Sequence, residues 1–230
     1  MRSPTWLFDL DNTLHNASHA IFPAINVNMN GFIKRVLDEA GLPSDEAAVD
    51  ALRHGYWKRY GVTLLGMIRH HGVNQADFLH AAHIFADLPS MVRAERGLLR
   101  LLRRLPGRKI LLTNGPRKYA NELMRELGLQ RDFRQQISVE MMRVHGRLQP
   151  KPSRQFLRKL LAREGLAPRN CVLVEDTLTN LKAAKSVGLR TVWITQFLLG
   201  QAQPAKRPAY VDVKVKSVRR LAGNLRRLSS

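Results

Sequence analysis

Short runs of mostly apolar residues alternate along most of this chain with longer segments whose apolar positions recur every three or four residues. The short runs lie at residues 5–10, 109–112, 137–139, 171–174, 191–194 and 210–215, and each has the length of one strand. The longer segments are helical in pattern. Residues 95–105 form a basic amphipathic helix. Residues 116–127 start at Pro116 and close at Gly128, as a helix with Pro in its first turn does. Residues 153–164 place Phe156, Leu157, Leu160 and Leu161 on one face and end at Gly165. Residues 178–187 close at Gly188, and residues 218–228 form a last helix. Strands alternating with helices predict an α/β fold with a Rossmann-like parallel sheet covered by helices on both faces.

The alternation breaks once. Between about residues 24 and 86 the periodicity is helical throughout, and nothing there reads as a strand. Ile33, Val36, Leu37 and Ala40 share a face, and Gly41-Leu42-Pro43 closes that helix. Trp57, Tyr60, Leu64, Leu65 and Ile68 continue the pattern, with Tyr56 and Trp57 at positions that suit the core, and a further helix covers residues 75–86. This predicts an all-helical insert after the first strand: residues 1–14 and 89–230 make the sheet-bearing part and residues 15–88 the insert. Residues 200–208 are the one linker-like stretch.

Composition narrows the class. Among 230 residues there is one Cys, which excludes a disulfide framework and any multi-cysteine zinc site. No apolar run approaches the ~20 residues that span a bilayer. Acids follow the short apolar run near the N-terminus, unlike a cleavable signal. The expectation is a soluble protein of the reducing cytoplasm. The net charge of +20 first suggests a polyanion partner such as nucleic acid. That charge is uneven. Residues 1–90 carry seven basic and nine acidic side chains, and residues 91–230 carry 31 and nine. No RNA-binding motif accompanies the surplus, so nucleic acid is the less favoured partner.

The polar residues at the predicted strand ends carry the chemistry. Open parallel sheets bind ligands at the carboxyl ends of their strands. Asp9 and Asp11 follow the first strand, Thr113 and Asn114 the second. Lys151 precedes the helix at residue 153, and Glu175 and Asp176 follow the strand at 171–174. Carboxylates converging on one crevice repel each other unless a hard cation such as Mg2+ lies among them. Thr113, the Asn114 backbone and Lys151 can hold a phosphoryl group. One carboxylate can attack phosphorus, and a second, two residues on, can protonate the leaving alcohol and later take a proton from water. The paired histidines, His70-His71 and His80 with His83, lack carboxylates at ligand spacing and read as helix surface.

These residues resemble a known family. Asp9-Leu10-Asp11-Asn12-Thr13 matches the DxDxT signature of the haloacid dehalogenase superfamily of phosphohydrolases. Thr113-Asn114, Lys151-Pro152 and Val174-Glu175-Asp176-Thr177 match its other three motifs, in order. By that resemblance Asp9 is the nucleophile and Asp11 the general acid/base. Thr113, Asn114 and Lys151 bind phosphate, and Asp9, Asp11 through its backbone carbonyl, Asp176 and Glu175 surround Mg2+. The insert resembles the C1 cap of the superfamily. Met29, the segment Tyr60-Gly61-Val62-Thr63-Leu64-Leu65-Gly66 and Phe78-Leu79 are similar to cap segments of the pyrimidine 5′-nucleotidase branch. His15 stands where that branch commonly has an aromatic, placed to touch substrate or to cover the loop. The resemblance implies a Mg2+-dependent phosphomonoester hydrolase acting through an aspartyl-phosphate on a pyrimidine nucleoside 5′-monophosphate. The alternatives are a sugar phosphate or phosphoglycolate as substrate, or a polyanion-binding protein that reuses the fold.

Overall fold

The computed structural model describes residues 3–198, 204 and 206–229; of the linker-like stretch, residues 200–203 and 205 lie outside the described residues. The chain separates into two compact units, Met1–Ser18 with Val92–Ser230, and His19–Met91. No helix of the described residues is long and apolar enough to cross a membrane.

The first unit is built on strands β1 (Thr5–Phe8), β2 (Lys109–Leu112), β3 (Gln135–Ile137), β4 (Arg143–Val144), β5 (Arg147–Leu148), β6 (Cys171–Glu175), β7 (Arg190–Ile194) and β8 (Val213–Val215). Six of them form one sheet in the order β3-β2-β1-β6-β7-β8, and every pairing in it is parallel. Strands covered on both faces need apolar residues at consecutive positions. Trp6, Leu7 and Phe8 are accordingly all buried, as are Ile110–Leu112 and Val172–Val174. On one face Leu7, Ile110, Leu112 and Leu173 pack with Phe156, Leu157, Leu160 and Leu181. On the other, Phe8 lies between Trp6 and Phe133, with ring centroids 6.0 and 5.8 Å away.

The second unit holds α1 (Ile21–Glu39), α2 (Glu46–Tyr60), α3 (Thr63–His71), α4 (Gln75–Ala82) and α5 (Leu88–Met91). Asp45 and Asn74 cap α2 and α4 by accepting from free N–H groups of the first turn. Arg53 ties α2 to α1 through Asn30 at 2.8 Å and Asn26 at 2.9 Å, while also bonding Asp50. Phe32 meets Phe78 edge to face at 5.3 Å, joining α1 to α4. Gly61 ends α2 in the left-handed conformation at φ 79°, and Gly66 lets α3 approach Tyr56 so closely that a Cβ there would lie 2.0 Å from the ring.

The remaining helices are α6 (Leu98–Arg103), α7 (Arg117–Glu126), α8 (Arg154–Arg163), α9 (Leu178–Ser186) and α10 (Leu225–Ser229). Several elements differ from their sequence expectations for local reasons. The helix expected at 95–105 begins only at Leu98, because Gly97 turns left-handed and Glu95 instead accepts from Ser217 and Arg219. The helix expected at 75–86 stops at Ala82, where the His83 ring bonds Leu79 O at 2.9 Å and Ile84 O accepts from Asn28. Strand β8 starts only at Val213, since the Asp212 carboxylate takes the Thr191 N–H at 2.9 Å. The closing helix at 218–228 breaks into two 3-10 turns before α10. Pro116 precedes α7 as its extended N-cap. The β4–β5 hairpin has no counterpart among the expected elements. It turns at His145 and Gly146, both at positive φ, the backbone that two-residue hairpin turns require. Trp57 is not core: it is 55% exposed, and Tyr56 alone turns inward to bond His71.

Adding a methyl group at Gly66 forces Tyr56 from its place between α2 and α3. Gly66→Ala is expected to destabilise the protein by about 1–3 kcal/mol in chemical denaturation, the usual cost of overpacking. A neighbouring Gly55→Ala control meets nothing within 4 Å and should not destabilise.

Candidate active site

The polar cluster lies where the strand order reverses. From β1 the chain adds β2 and β3 on one side and β6 to β8 on the other, which opens a crevice at the carboxyl ends of β1 and β6. Phe8 is in register with Val174, so the next residues, Asp9 and Glu175, emerge side by side. The Asp9 N–H still bonds Val174 O at 3.0 Å, which fixes that exit.

Lys151 reaches this point from the loop before α8. Its Nζ lies 2.6 Å from Asp9 Oδ1 and 2.8 Å from Glu175 Oε2, and all three side chains are buried. Thr13 donates to the other Asp9 oxygen at 3.1 Å, and the Thr177 N–H to the other Glu175 oxygen at 3.2 Å. Asp176 completes the group: ligand oxygens of Asp9, Glu175 and Asp176 lie within 4.8 Å of one another. The Trp193 indole holds the Asp176 carbonyl at 2.9 Å, and the Thr177 hydroxyl bonds the Asp176 carboxylate at 3.1 Å.

The loop after β1 is a closed turn. Asn12 takes φ 58°, and its side chain both donates to Ser18 Oγ and accepts the Ser18 N–H. Asp11, beside it, accepts from the Tyr119 hydroxyl and lies 2.9 Å from His15 Nε2. After β2, Thr113 Oγ1 accepts the Gly115 N–H at 2.9 Å. The Asn114 side chain is not aimed at a ligand. It clamps the Lys151 backbone, donating to its O and accepting its N–H, both at 3.0 Å.

Charge crowding shows in the proton affinities. Burial, reinforced by Glu175, pushes the Asp9 carboxyl up to about 7 even with Lys151 beside it. Burial and Glu175 likewise hold Asp176 well above the ordinary carboxylate range. Glu175 resists its own burial and stays low because Lys151 faces it. The same pairing, against burial, raises Lys151 and keeps it charged. Burial and the Asp11 charge keep Tyr119 a neutral O–H donor. One ammonium thus faces two buried carboxylates with a third, partly exposed, beside them, and the crowding favours protons on Asp9 and Asp176. An oxygen-seeking divalent cation fits such a donor set and would displace those protons.

The structure therefore brings Asp9, Lys151, Glu175 and Asp176 into direct contact or near it, and places Asp11, Thr113 and Asn114 on the adjoining loops of the same unit. Three further residues belong to the site. Trp193 and Tyr119 have no sequence signal of their own, the first reading as one more apolar strand residue and the second as a helix core position, while His15 follows the first motif at the position expected to touch substrate or to cover the loop. His15 neither covers the loop from outside nor stands open to a ligand: it is wholly buried against Asp11. His70 and His71 bond Tyr60 and Tyr56.

Known proteins agree with this architecture. The family model of the haloacid dehalogenase-like hydrolases matches residues 5–188. A phosphoglycolate phosphatase of Pseudomonas putida is 27% identical over 219 residues, spanning 89% of this chain and 74% of its own length. Among solved structures, CbbY from Rhodobacter sphaeroides in complex with phosphate superposes with a TM-score of 0.63 at 21% identity, over 96% of each chain. A HAD phosphatase from Thermococcus onnurineus gives 0.63 at 18% identity, over 97% of this chain and 98% of that one.

A raised carboxyl has a definite sign in stability. The folded state holds the Asp9 proton up to about pH 7, whereas the unfolded chain loses it near 3.8, so stability from this group falls as pH rises through that window. A divalent cation held by these carboxylates would offset the loss. The thermal midpoint is expected to rise with Mg2+ more at about pH 8 than at about pH 5, with a gain of about 2.7 kcal/mol at 100-fold excess over Kd. Thermal unfolding with and without the ion at both pH values checks this.

Proposed function

Since the chain belongs to the haloacid dehalogenase-like hydrolase family, we propose that it is a Mg2+-dependent phosphomonoester hydrolase that works through an aspartyl-phosphate on Asp9. The observation that carries this reading is the buried contact of Asp9 with Lys151 at the switch point, with a second acid, Asp11, two residues away. An acid at position 11 favours phosphate ester hydrolysis over dehalogenation, by the family resemblance.

In this reading Lys151, the Thr113 hydroxyl and the Asn114 backbone N–H hold the phosphoryl oxygens. An Asp9 carboxylate oxygen attacks phosphorus as the bond to the leaving oxygen breaks, and Asp11 gives that oxygen its proton. Asp11 then takes a proton from water, which attacks the phosphorus. Inorganic phosphate leaves, and Asp9 is restored. Asp9, Asp176 and the Asp11 carbonyl, with Glu175 beside them, would hold Mg2+, which supplies charge neutralisation for the transferred group. The second unit takes the part of the cap and selects the leaving group.

The leaving group we assign is a pyrimidine nucleoside, on the likeness of Met29, residues 60–66 and Phe78-Leu79 to cap segments of that nucleotidase branch. A second reading, phosphoglycolate, is favoured by the name of the Pseudomonas putida relative. The basic surplus of residues 91–230 suits either dianion, raising its local concentration in a way that salt weakens.

A panel of uridine and cytidine 5′-monophosphates, purine nucleotides, phosphoglycolate and a hexose phosphate, assayed for phosphate release with Mg2+, tests both levels. We expect release that Asp9→Asn lowers by about 10³-fold or more. Equal release by the variant removes the nucleophile assignment. Higher kcat/KM for phosphoglycolate than for the pyrimidine nucleotides replaces the first leaving group by the second. Release from none of them removes the hydrolase reading.

A further inference from the structure

Two side chains from outside the four motifs meet on one oxygen of Asp11. The Tyr119 hydroxyl, from α7, donates to Asp11 Oδ1, and His15 Nε2 lies 2.9 Å from the same atom. Both are buried, Tyr119 at 2% exposure and His15 at 0%. The Tyr119 ring fits over the loop after β2 because residue 115 is glycine. A Cβ there would come 2.9 Å from the ring and 3.2 Å from Thr113 Oγ1. His15 Nδ1 is buried with no hydrogen-bond partner. The tautomer with its proton on Nε2 therefore makes one good bond to Asp11 and leaves only a lone pair unmet. The other tautomer would bury an unpaired N–H and set two acceptors face to face.

We propose that Tyr119 and His15 are positioning residues that fix the orientation of the Asp11 carboxyl for proton transfer. This rests on the acid/base part assigned to Asp11 above. The chemistry follows from the donors. Two hydrogen bonds from separate elements onto one oxygen hold the plane of the carboxyl group. In the first half-reaction the O–H bond of the Asp11 carboxylic acid breaks and the proton joins the leaving oxygen, which keeps the electron pair of the broken P–O bond. In the second, the Asp11 carboxylate takes a proton from the attacking water. Freed from its two donors, the carboxyl group rotates, and fewer of its orientations present the proton.

A positioning role has a signature that loss of fold lacks. Esters with poor leaving groups need the proton, and 4-nitrophenyl phosphate hardly does. For Tyr119→Phe we expect kcat/KM on an alkyl phosphate, the best substrate of the panel, to fall at least about tenfold, a part of the roughly 10²–10⁴ that a positioned general acid contributes. On 4-nitrophenyl phosphate it should fall by less than about twofold, with KM little changed. Asp11→Asn should show the same pattern, enlarged. His15→Leu should resemble Tyr119→Phe, and His15→Gln, whose amide N–H can reach Oδ1, should recover most of that loss. A parallel loss on both esters, or none, overturns the proposal. If Asp11→Asn itself shows no dependence on the leaving group, the acid/base assignment fails and the proposal with it. If Asp11→Asn shows that dependence while Tyr119→Phe and His15→Leu do not, the positioning proposal fails alone. Asp9→Asn reports on the nucleophile separately, and thermal melts confirm that each variant is folded.

Discussion

An ammonium group lodged between two buried carboxylates sets the terms for the open end of the sheet. Lys151 Nζ touches Asp9 and Glu175 at 2.6 and 2.8 Å, and all three side chains are buried. Removing such charges from water costs several kcal/mol each, repaid only when geometry is close and the remaining lone pairs are bonded. Both conditions hold. Thr13 and the Thr177 N–H occupy the outer oxygens of Asp9 and Glu175. Breaking one partner out of a pair of this kind costs about 3–5 kcal/mol, whereas an apolar substitute for the whole set is often neutral. The group is thus a poor source of stability, and its arrangement makes sense as chemistry.

The scaffold meets that constraint with ordinary means. Parallel register between β1 and β6 delivers two carboxylates side by side from distant parts of the chain. The lysine comes from a loop rather than a strand, and loops wander. Asn114 removes that freedom with two hydrogen bonds to the Lys151 backbone. Trp193 does the same for Asp176 from the neighbouring strand. Each site residue that lacks a strand to hold it has a clamp of this kind, as a preorganised electrostatic site requires.

The basic composition belongs to a different level. Its arginines lie mainly at the surface, where several pair with acids, as Arg103 does with Asp132 and Arg219 with Glu95. Such exposed pairs contribute about 0–1 kcal/mol each and are weakened by salt. The cluster at the strand ends, by contrast, is mostly acidic and buried. Net charge therefore describes how anions are drawn to the protein, and buried charge describes what can happen to them there.

Much of the molecule was legible in the order of its residues. Strands apolar at every position, helices with glycine closures and four polar segments in a family's order are local signals, each readable within about ten residues. They carried the α/β architecture and the helical segment after β1, and they singled out Asp9, Asp11, Thr113, Asn114, Lys151, Glu175 and Asp176 as candidates. Local patterns also misled where a side chain outbid the backbone, as at Glu95 and Asp212, or where helical spacing put Trp57 in a core it does not reach. What no local pattern contains is which distant side chains meet. Lys151 and Asp9 are 142 positions apart, and Tyr119 and Asp11 are 108 apart. Nothing in the sequence joins Tyr119 to the first motif, and His15 stood beside it only as a residue to touch substrate or to cover the loop. Only the parallel sheet, by stacking strand ends from four regions of the chain at one edge, decides that both face the same carboxylate oxygen.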